Sequence, residues 1–246
     1  MTVRTRPQTI RWHVYPGADE VRDAVVEFTK GIASDAIARN GSFSIVLAGG
    51  ETPRSVYERL AGLQADWSAW HVYFGDERCL PFGDSQRNST MADSAWLKRV
   101  GIPRDQVHRI PAELGAQAGA EKYALALRDA GDFDLVLLGL GEDGHTASLF
   151  PGRPCAGPSD DAEALAVDDA PKPPSERVTL SATRLSQARY VAFVVSGPSK
   201  REAVRRWRAG EAIPASKIAP PGGVDVFIDE AASSPQVDPW RPTGGS

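Results

Sequence analysis

Cysteine is almost missing from these 246 residues: there are two, Cys79 and Cys155. They match no metal-ligand spacing, so a disulfide framework and a cysteine zinc site are excluded, and a reducing compartment, the cytoplasm, is expected. Histidine is scarce as well. The four, at positions 13, 71, 108 and 145, lack the paired spacing of a zinc site, so no metal is expected. No apolar run approaches the ~18 residues that span a bilayer. Met1–Gln8 carries arginines but no apolar stretch of the kind a signal peptide needs. Charge of one sign is nowhere concentrated. The net charge is −4 with Lys and Arg scattered, which argues against nucleic-acid or membrane partners and leaves room for a local anion pocket. No Gly-x-Ser-x-Gly elbow, internal repeat or Gly-Lys-Ser/Thr phosphate loop is present.

What is there is an ordinary apolar content of 41%, enough in a chain of this length for a sizeable core. Five short apolar runs bounded by Gly, Asp or Pro read as buried strands: Phe43–Ala48, His71–Phe74, Leu135–Leu140, Tyr190–Ser196 and Val224–Ile228. Helical patterns lie between them. Val21–Asn40 repeats Val21, Val25, Phe28, Ile32, Ala36 and Ile37 on one face, with Gly41 as a stop. Arg54–Leu63, Ser89–Val100, Ala118–Ala130 and Ser199–Ala209 follow. Such alternation predicts an α/β fold, a doubly wound, mostly parallel sheet with helices on both faces. One domain over residues 1–232 is expected, as a monomer, with a flexible tail over 233–246. Cys155–Ser175, rich in proline and acidic residues with a short strand at Ala164–Val167, reads as an irregular excursion near the site.

The strand ends carry the chemistry. Leu135–Leu140 runs into Gly141-Glu-Asp-Gly-His145, which lifts Asp143 and His145 to the carboxyl edge of the sheet. Histidine is the side chain best suited to proton transfer near neutral pH. Gly139, Gly141 and Gly144 spell G-x-G-x-x-G, but Glu142 and Asp143 would repel a pyrophosphate and Pro151 breaks the following helix, so a dinucleotide is not expected. At the first strand, Gly49-Gly50 permits close approach of a ligand, and Thr52-Pro53 reads as an N-cap and first helical residue. That turn fits a phosphate, or equally a tight strand-to-helix connection with no ligand. Asp76-Glu77-Arg78 ends the second strand. By itself it reads as a salt-bridged surface turn, or as a charged edge of a site. Arg177 precedes a β-prone run, and Lys200 stands at a helix start, where a cation is unfavourable unless it serves an anion.

Together, Ala48–Pro53, Phe74–Arg78, Gly139–Pro151, Pro173–Leu180 and Ser196–Lys200 resemble the 6-phosphogluconolactonase family of the pentose phosphate pathway, in order and over most of the chain. The Gly-His-Thr-Ala-Ser-Leu-Phe-Pro string is the most specific part. The resemblance implies hydrolysis of 6-phospho-D-glucono-1,5-lactone without metal or organic cofactor. Carried over by position, His145 is the general base and Asp143 shapes the site. Arg78 lies near the reacting end. Gly49, Gly50 and Thr52 hold the phosphate with Arg177 and Lys200 as counter-charges, and Asp76 and Asn88 are further substrate contacts. Two details depart from the family's commonest pattern: Gln86-Arg87-Asn88 stands where a Ser-Asn pair is frequent, and Pro198 where a small residue is usual.

Two other readings share these features. An amino-sugar-phosphate deaminase or isomerase resembles the chain in its phosphate loop and Asp-Gly-His turn, but that pattern has a glutamate shortly after the histidine. Here Thr146–Pro151 contains no carboxylate. A non-catalytic sugar-phosphate sensor would carry a DNA-binding module ahead of the fold. About 40 residues, mostly one amphipathic helix, are expected before the first strand, too few for it.

Overall fold

The computed structural model describes residues 8–156 and 162–233. The tail expectation, apart from Ser233, and part of the proline-rich excursion lie outside them. Ten strands are described. In chain order they are β1 (Ile10–Tyr15), β2 (Phe43–Leu47), β3 (Trp70–Phe74), β4 (Asp76–Arg78), β5 (Val107–His108), β6 (Phe133–Gly139), β7 (Ala164–Val167), β8 (Arg177–Leu180), β9 (Ala188–Val195) and β10 (Val224–Asp229). The principal helices are α1 (Ala18–Asn40), α2 (Glu51–Leu60), α3 (Asn88–Ala92), α4 (Ala116–Leu127), α5 (Ala182–Ser186), α6 (Arg201–Arg208) and α7 (Glu230–Ser233).

Seven strands form one sheet in the order β1-β10-β9-β6-β2-β3-β5, and all its pairings are parallel. The five expected strands are its centre. The two outer strands, β1 and β5, were not expected, and β1 places a strand ahead of the long helix. Helices cover both faces, as side-chain alternation shows. Phe28 of α1 packs on Tyr190 and Phe227, whereas Trp207 of α6 packs on Phe193, which points to the opposite face of β9 from Tyr190. The central strands are buried on both faces, which is why they read as continuous apolar runs.

After β2 the chain moves outward to β3 and β5. After β6 it moves the other way, to β9 and β10. The crevice between the ends of β2 and β6 is therefore the point where the winding reverses, the place where open α/β sheets bind ligands. Two tyrosines fix the neighbouring strand ends. The Tyr57 hydroxyl of α2 donates to the Ala48 carbonyl and accepts from the Ala48 N–H, both at 2.9 Å. The Tyr123 hydroxyl of α4 does the same at Phe74. Burial pushes both phenols above their ordinary pKa, so they remain hydroxyl donors.

A second, antiparallel sheet, β4-β8-β7, leans over the crevice. Asp76-Glu77-Arg78 is therefore a strand and not a surface turn. The strand at Ala164–Val167 is present as expected, so the excursion is partly regular. The Ser89–Val100 helix is shorter than expected: α3 ends at Ala92 and gives way to a π-helical turn over Asp93–Leu97.

Candidate active site

The crevice holds a cavity of about 330 Å³. Its wall includes Gly49, Gly50, Thr52, Asp76, Arg78, Asn88, His145, Arg177 and Lys200. Nine of the ten residues singled out in the sequence thus converge there from six segments. Asp143 does not line the cavity. It stands behind His145, and its effect on the site is indirect.

His145 is held by its own loop. Its Nδ1 lies 2.5 Å from Oδ1 of Asp143, and its backbone N–H donates to the same oxygen. An ionised carboxylate only accepts, so Nδ1 carries the proton and Nε2 presents its lone pair. Nε2 makes no hydrogen bond among the described residues. Burial raises the Asp143 carboxyl, but the hydrogen bonds and charge of His145 outweigh it and hold the group below the usual carboxylate range. The imidazole also packs on Phe150, with ring centroids 4.9 Å apart. Gly144 turns the loop at φ 90°, and a Cβ there would meet Ile213 at 2.9 Å, so glycine is required on two counts.

At the end of β2 the helix starts earlier than expected. Gly50, at φ 104°, is the N-cap of α2, and Thr52 lies inside the first turn. Glycine adopts this backbone conformation without strain, so a threonine cap is unnecessary. The first-turn N–H groups of Glu51 and Thr52 have no helical acceptor and stand at the positive end of the helix beside the cavity. Gly49 has a separate reason to be glycine. A Cβ there would lie 2.1 Å from the Asn88 amide oxygen.

The small sheet forms the opposite wall. Asp76 and Arg78 alternate to one face of β4 and pair in register with Thr179 and Arg177 of β8. Asp76 is buried with one donor on each oxygen and acceptor capacity to spare: Asn88 Nδ2 reaches Oδ1 at 2.9 Å and Ser148 Oγ reaches Oδ2 at 2.6 Å. Glu77 points the other way, out of the cavity. Its carboxylate accepts the N–H groups of Arg78, Asn88 and Ser89 and lies 3.4 Å from Nε of Arg87. Its role is to hold the 87–89 turn that aims Asn88. Arg78 Nη1 donates to the Gln86 carbonyl at 2.6 Å.

Arg177 is buried and stacks its guanidinium over Phe150. Desolvation lowers its pKa, as does Arg78, while Asp76 opposes the shift. It stays a cation, since arginine titrates far above neutrality. Lys200, in a short 3-10 turn before α6, is pushed down by burial. Asp229 aims that turn by accepting the Gly197 N–H at 2.9 Å.

The sequence did not reveal Ser148, Thr179 or Lys172. Ser148 lies inside the singled-out string, three residues after His145, and that spacing was the available signal. Its role depends on Asp76, 72 positions away. Thr179 holds the Ser148 N–H at 3.2 Å.

The family model for glucosamine-6-phosphate isomerases and 6-phosphogluconolactonases matches residues 16–227. A 6-phosphogluconolactonase of Synechocystis is 38% identical over 210 residues, covering 80% of this chain and 86% of that protein. The crystal structure of a 6-phosphogluconolactonase from Thermotoga maritima superposes with a TM-score of 0.83 at 29% identity, covering 90% of this chain and all of that one. A monomeric glucosamine-6-phosphate deaminase shares the fold, with a TM-score of 0.77 at 21% identity over 91% of this chain and 99% of that one.

Proposed function

The chain belongs to the glucosamine-6-phosphate isomerase and 6-phosphogluconolactonase family, and from that premise we propose that it hydrolyses 6-phospho-D-glucono-1,5-lactone to 6-phospho-D-gluconate in the oxidative pentose phosphate pathway. The observation that carries the chemistry is His145: Nδ1 tied to Asp143, Nε2 unengaged among the described residues, in a cavity bordered by a helix start and four cationic side chains.

In this reading the phosphate rests on the Gly49–Thr52 turn with Arg177 and Lys200 as counter-charges. The lactone ring reaches toward His145. Nε2 takes a proton from water as its oxygen bonds to C1, and Arg78 steadies the tetrahedral oxyanion. The intermediate collapses with cleavage of the bond from C1 to the ring oxygen. The imidazolium returns its proton to that oxygen, which becomes the C5 hydroxyl, and the new carboxylic acid loses its proton to solvent. Asp143 keeps the imidazole in the required tautomer. Asp76, with Asn88 behind it, accepts hydrogen bonds from sugar hydroxyls.

Deamination or isomerisation needs a carboxylate to shuttle protons. None follows His145 in its loop. Asp76 has a donor on each oxygen, Asn88 on one and Ser148 on the other, which suits an acceptor better than a shuttle. Two free, half-buried cysteines, Cys79 and Cys155, support a place in the reducing cytoplasm.

The test is acid release from lactone generated in situ, measured against spontaneous hydrolysis, for the wild type and His145→Ala. The wild type accelerates opening, and the variant loses roughly 10²–10⁴-fold in turnover while still binding 6-phosphogluconate. Near-normal turnover by the variant would remove His145 as the base. No acceleration by the wild type would leave a phosphosugar-binding protein.

A further inference from the structure

The cavity has a cationic residue that the reading above does not use. Lys172 lies on the proline-rich segment before β8 and lines the cavity together with Pro173, Arg177 and Lys200. Its backbone is fixed. Arg177 Nη2 donates to the Lys172 carbonyl at 2.7 Å, and Arg177 Nε donates to the Pro174 carbonyl at 3.0 Å. Two of the three guanidinium nitrogens thus hold this segment as a strap along the cavity wall. The third, Nη1, makes no hydrogen bond among the described residues.

Cationic side chains gather around the strap. Among the described residues the lysines in ion pairs are Lys30 and Lys98, not Lys172 or Lys200. Burial is the largest influence on Lys200 and lowers its pKa; Glu142 and Asp143 act against that shift, and Lys172 is close enough to add to it. Both lysines line the one cavity, so an anion placed between them would meet two ammonium groups. Packing does not explain Lys172, since the residue is exposed.

We propose that Lys172 is a substrate-binding residue, which closes on the phosphate from the side opposite the Gly49–Thr52 turn and pairs with Lys200 around the dianion. Arg177 then has a double part. It presents Nη1 to the cavity and aims Lys172 through the strap, so strap and phosphate are read by one guanidinium. The proposal rests on the phosphosugar reading of the site.

The experiment compares wild type, Lys172→Gln, Lys172→Arg and Lys200→Ala. Inorganic phosphate binding is titrated by calorimetry, and lactone hydrolysis is followed in parallel. Lys172→Gln weakens phosphate at least about tenfold and raises KM by a similar factor, with the loss in KM rather than kcat. Lys172→Arg recovers most of it because the charge is kept. Lys200→Ala weakens phosphate by a comparable factor. Unchanged phosphate affinity and unchanged KM in Lys172→Gln would overturn the proposal. An equal loss in Lys172→Arg would do so as well, since it would make the strap's shape and not its charge responsible. If the wild type fails to hydrolyse the lactone, the functional reading falls, and the phosphate titration still decides the role of Lys172.

Discussion

A Cβ placed on Gly141 would lie 2.0 Å from Nδ1 and 2.2 Å from Cε1 of His145. The imidazole occupies the space that any side chain at position 141 would need. The loop closes the arrangement from both ends, with Gly141 N–H donating to the His145 carbonyl at 2.8 Å. Glycine at 141 is thus a condition for the position of the proposed base.

Gly141→Ala should displace the ring. The overpacking costs about 1–3 kcal/mol of stability, which the fold can absorb. A base moved by about 1 Å loses on the order of 10² in rate. Thermal unfolding and steady-state kinetics of the variant check this. The expected result is a folded protein with turnover down about 100-fold and product affinity near that of the parent. Turnover within a few-fold of the parent would show that the imidazole has another productive seat.

Asp143→Asn should lower turnover through the tautomer. The native carboxyl lies below the usual carboxylate range and, ionised, only accepts, which fixes the proton on Nδ1 of His145. An asparagine amide can also donate to Nδ1, which leaves the proton on Nε2, where the base is needed. Steady-state kinetics should show kcat down about 10²–10⁴-fold with product affinity near that of the parent. Turnover within a few-fold of the parent would contradict the assigned geometry.

Asp225→Asn should loosen the outer strand. Asp225 is buried on β10 and binds Arg11 at 2.7 Å and His13 at 2.8 Å, both on β1. Burial raises its pKa, but Arg11 and His13 outweigh it and the group is lowered. A carboxyl with a depressed folded pKa contributes stability above its unfolded value, and that contribution is lost as pH falls through the folded value. The wild type should therefore have the higher Tm at neutral pH, and the difference should shrink below about pH 4. A difference independent of pH would mean that packing, not charge, is at work.

What could be read from the sequence follows from burial. β6 is buried on both faces for most of its length and appears as an unbroken apolar run. β1 has no fully buried position and interleaves Arg11 and His13 with its apolar residues. Its charges make sense only beside Asp225, more than 200 positions away. β5, with two residues, carries no periodicity. The same contrast holds in the site. His145 and the Gly49–Thr52 turn announce themselves by local chemistry at strand ends. Ser148 and Glu77 act through partners that only the fold supplies, and the N-cap moved from Thr52 to Gly50 because backbone conformation outranked side-chain preference.

The cavity straddles two sheets. His145, the glycine turn and Lys200 rise from the parallel one. Asp76, Arg78 and Arg177 come from the antiparallel one, and the join between them is short. Gly75 N–H donates to the Leu47 carbonyl at 2.9 Å, and the Gly75 carbonyl accepts from Leu180 at 2.7 Å. The proposed catalyst is therefore divided. The proposed base stands above the parallel sheet, while Asp76, assigned to the sugar hydroxyls, and Arg78, assigned to the oxyanion, stand on β4 of the antiparallel one. Which ring fits and how fast it opens thus both answer to the way the two sheets meet at Gly75. A chimera that exchanges β4 and β8 with those of a relative should change the two together.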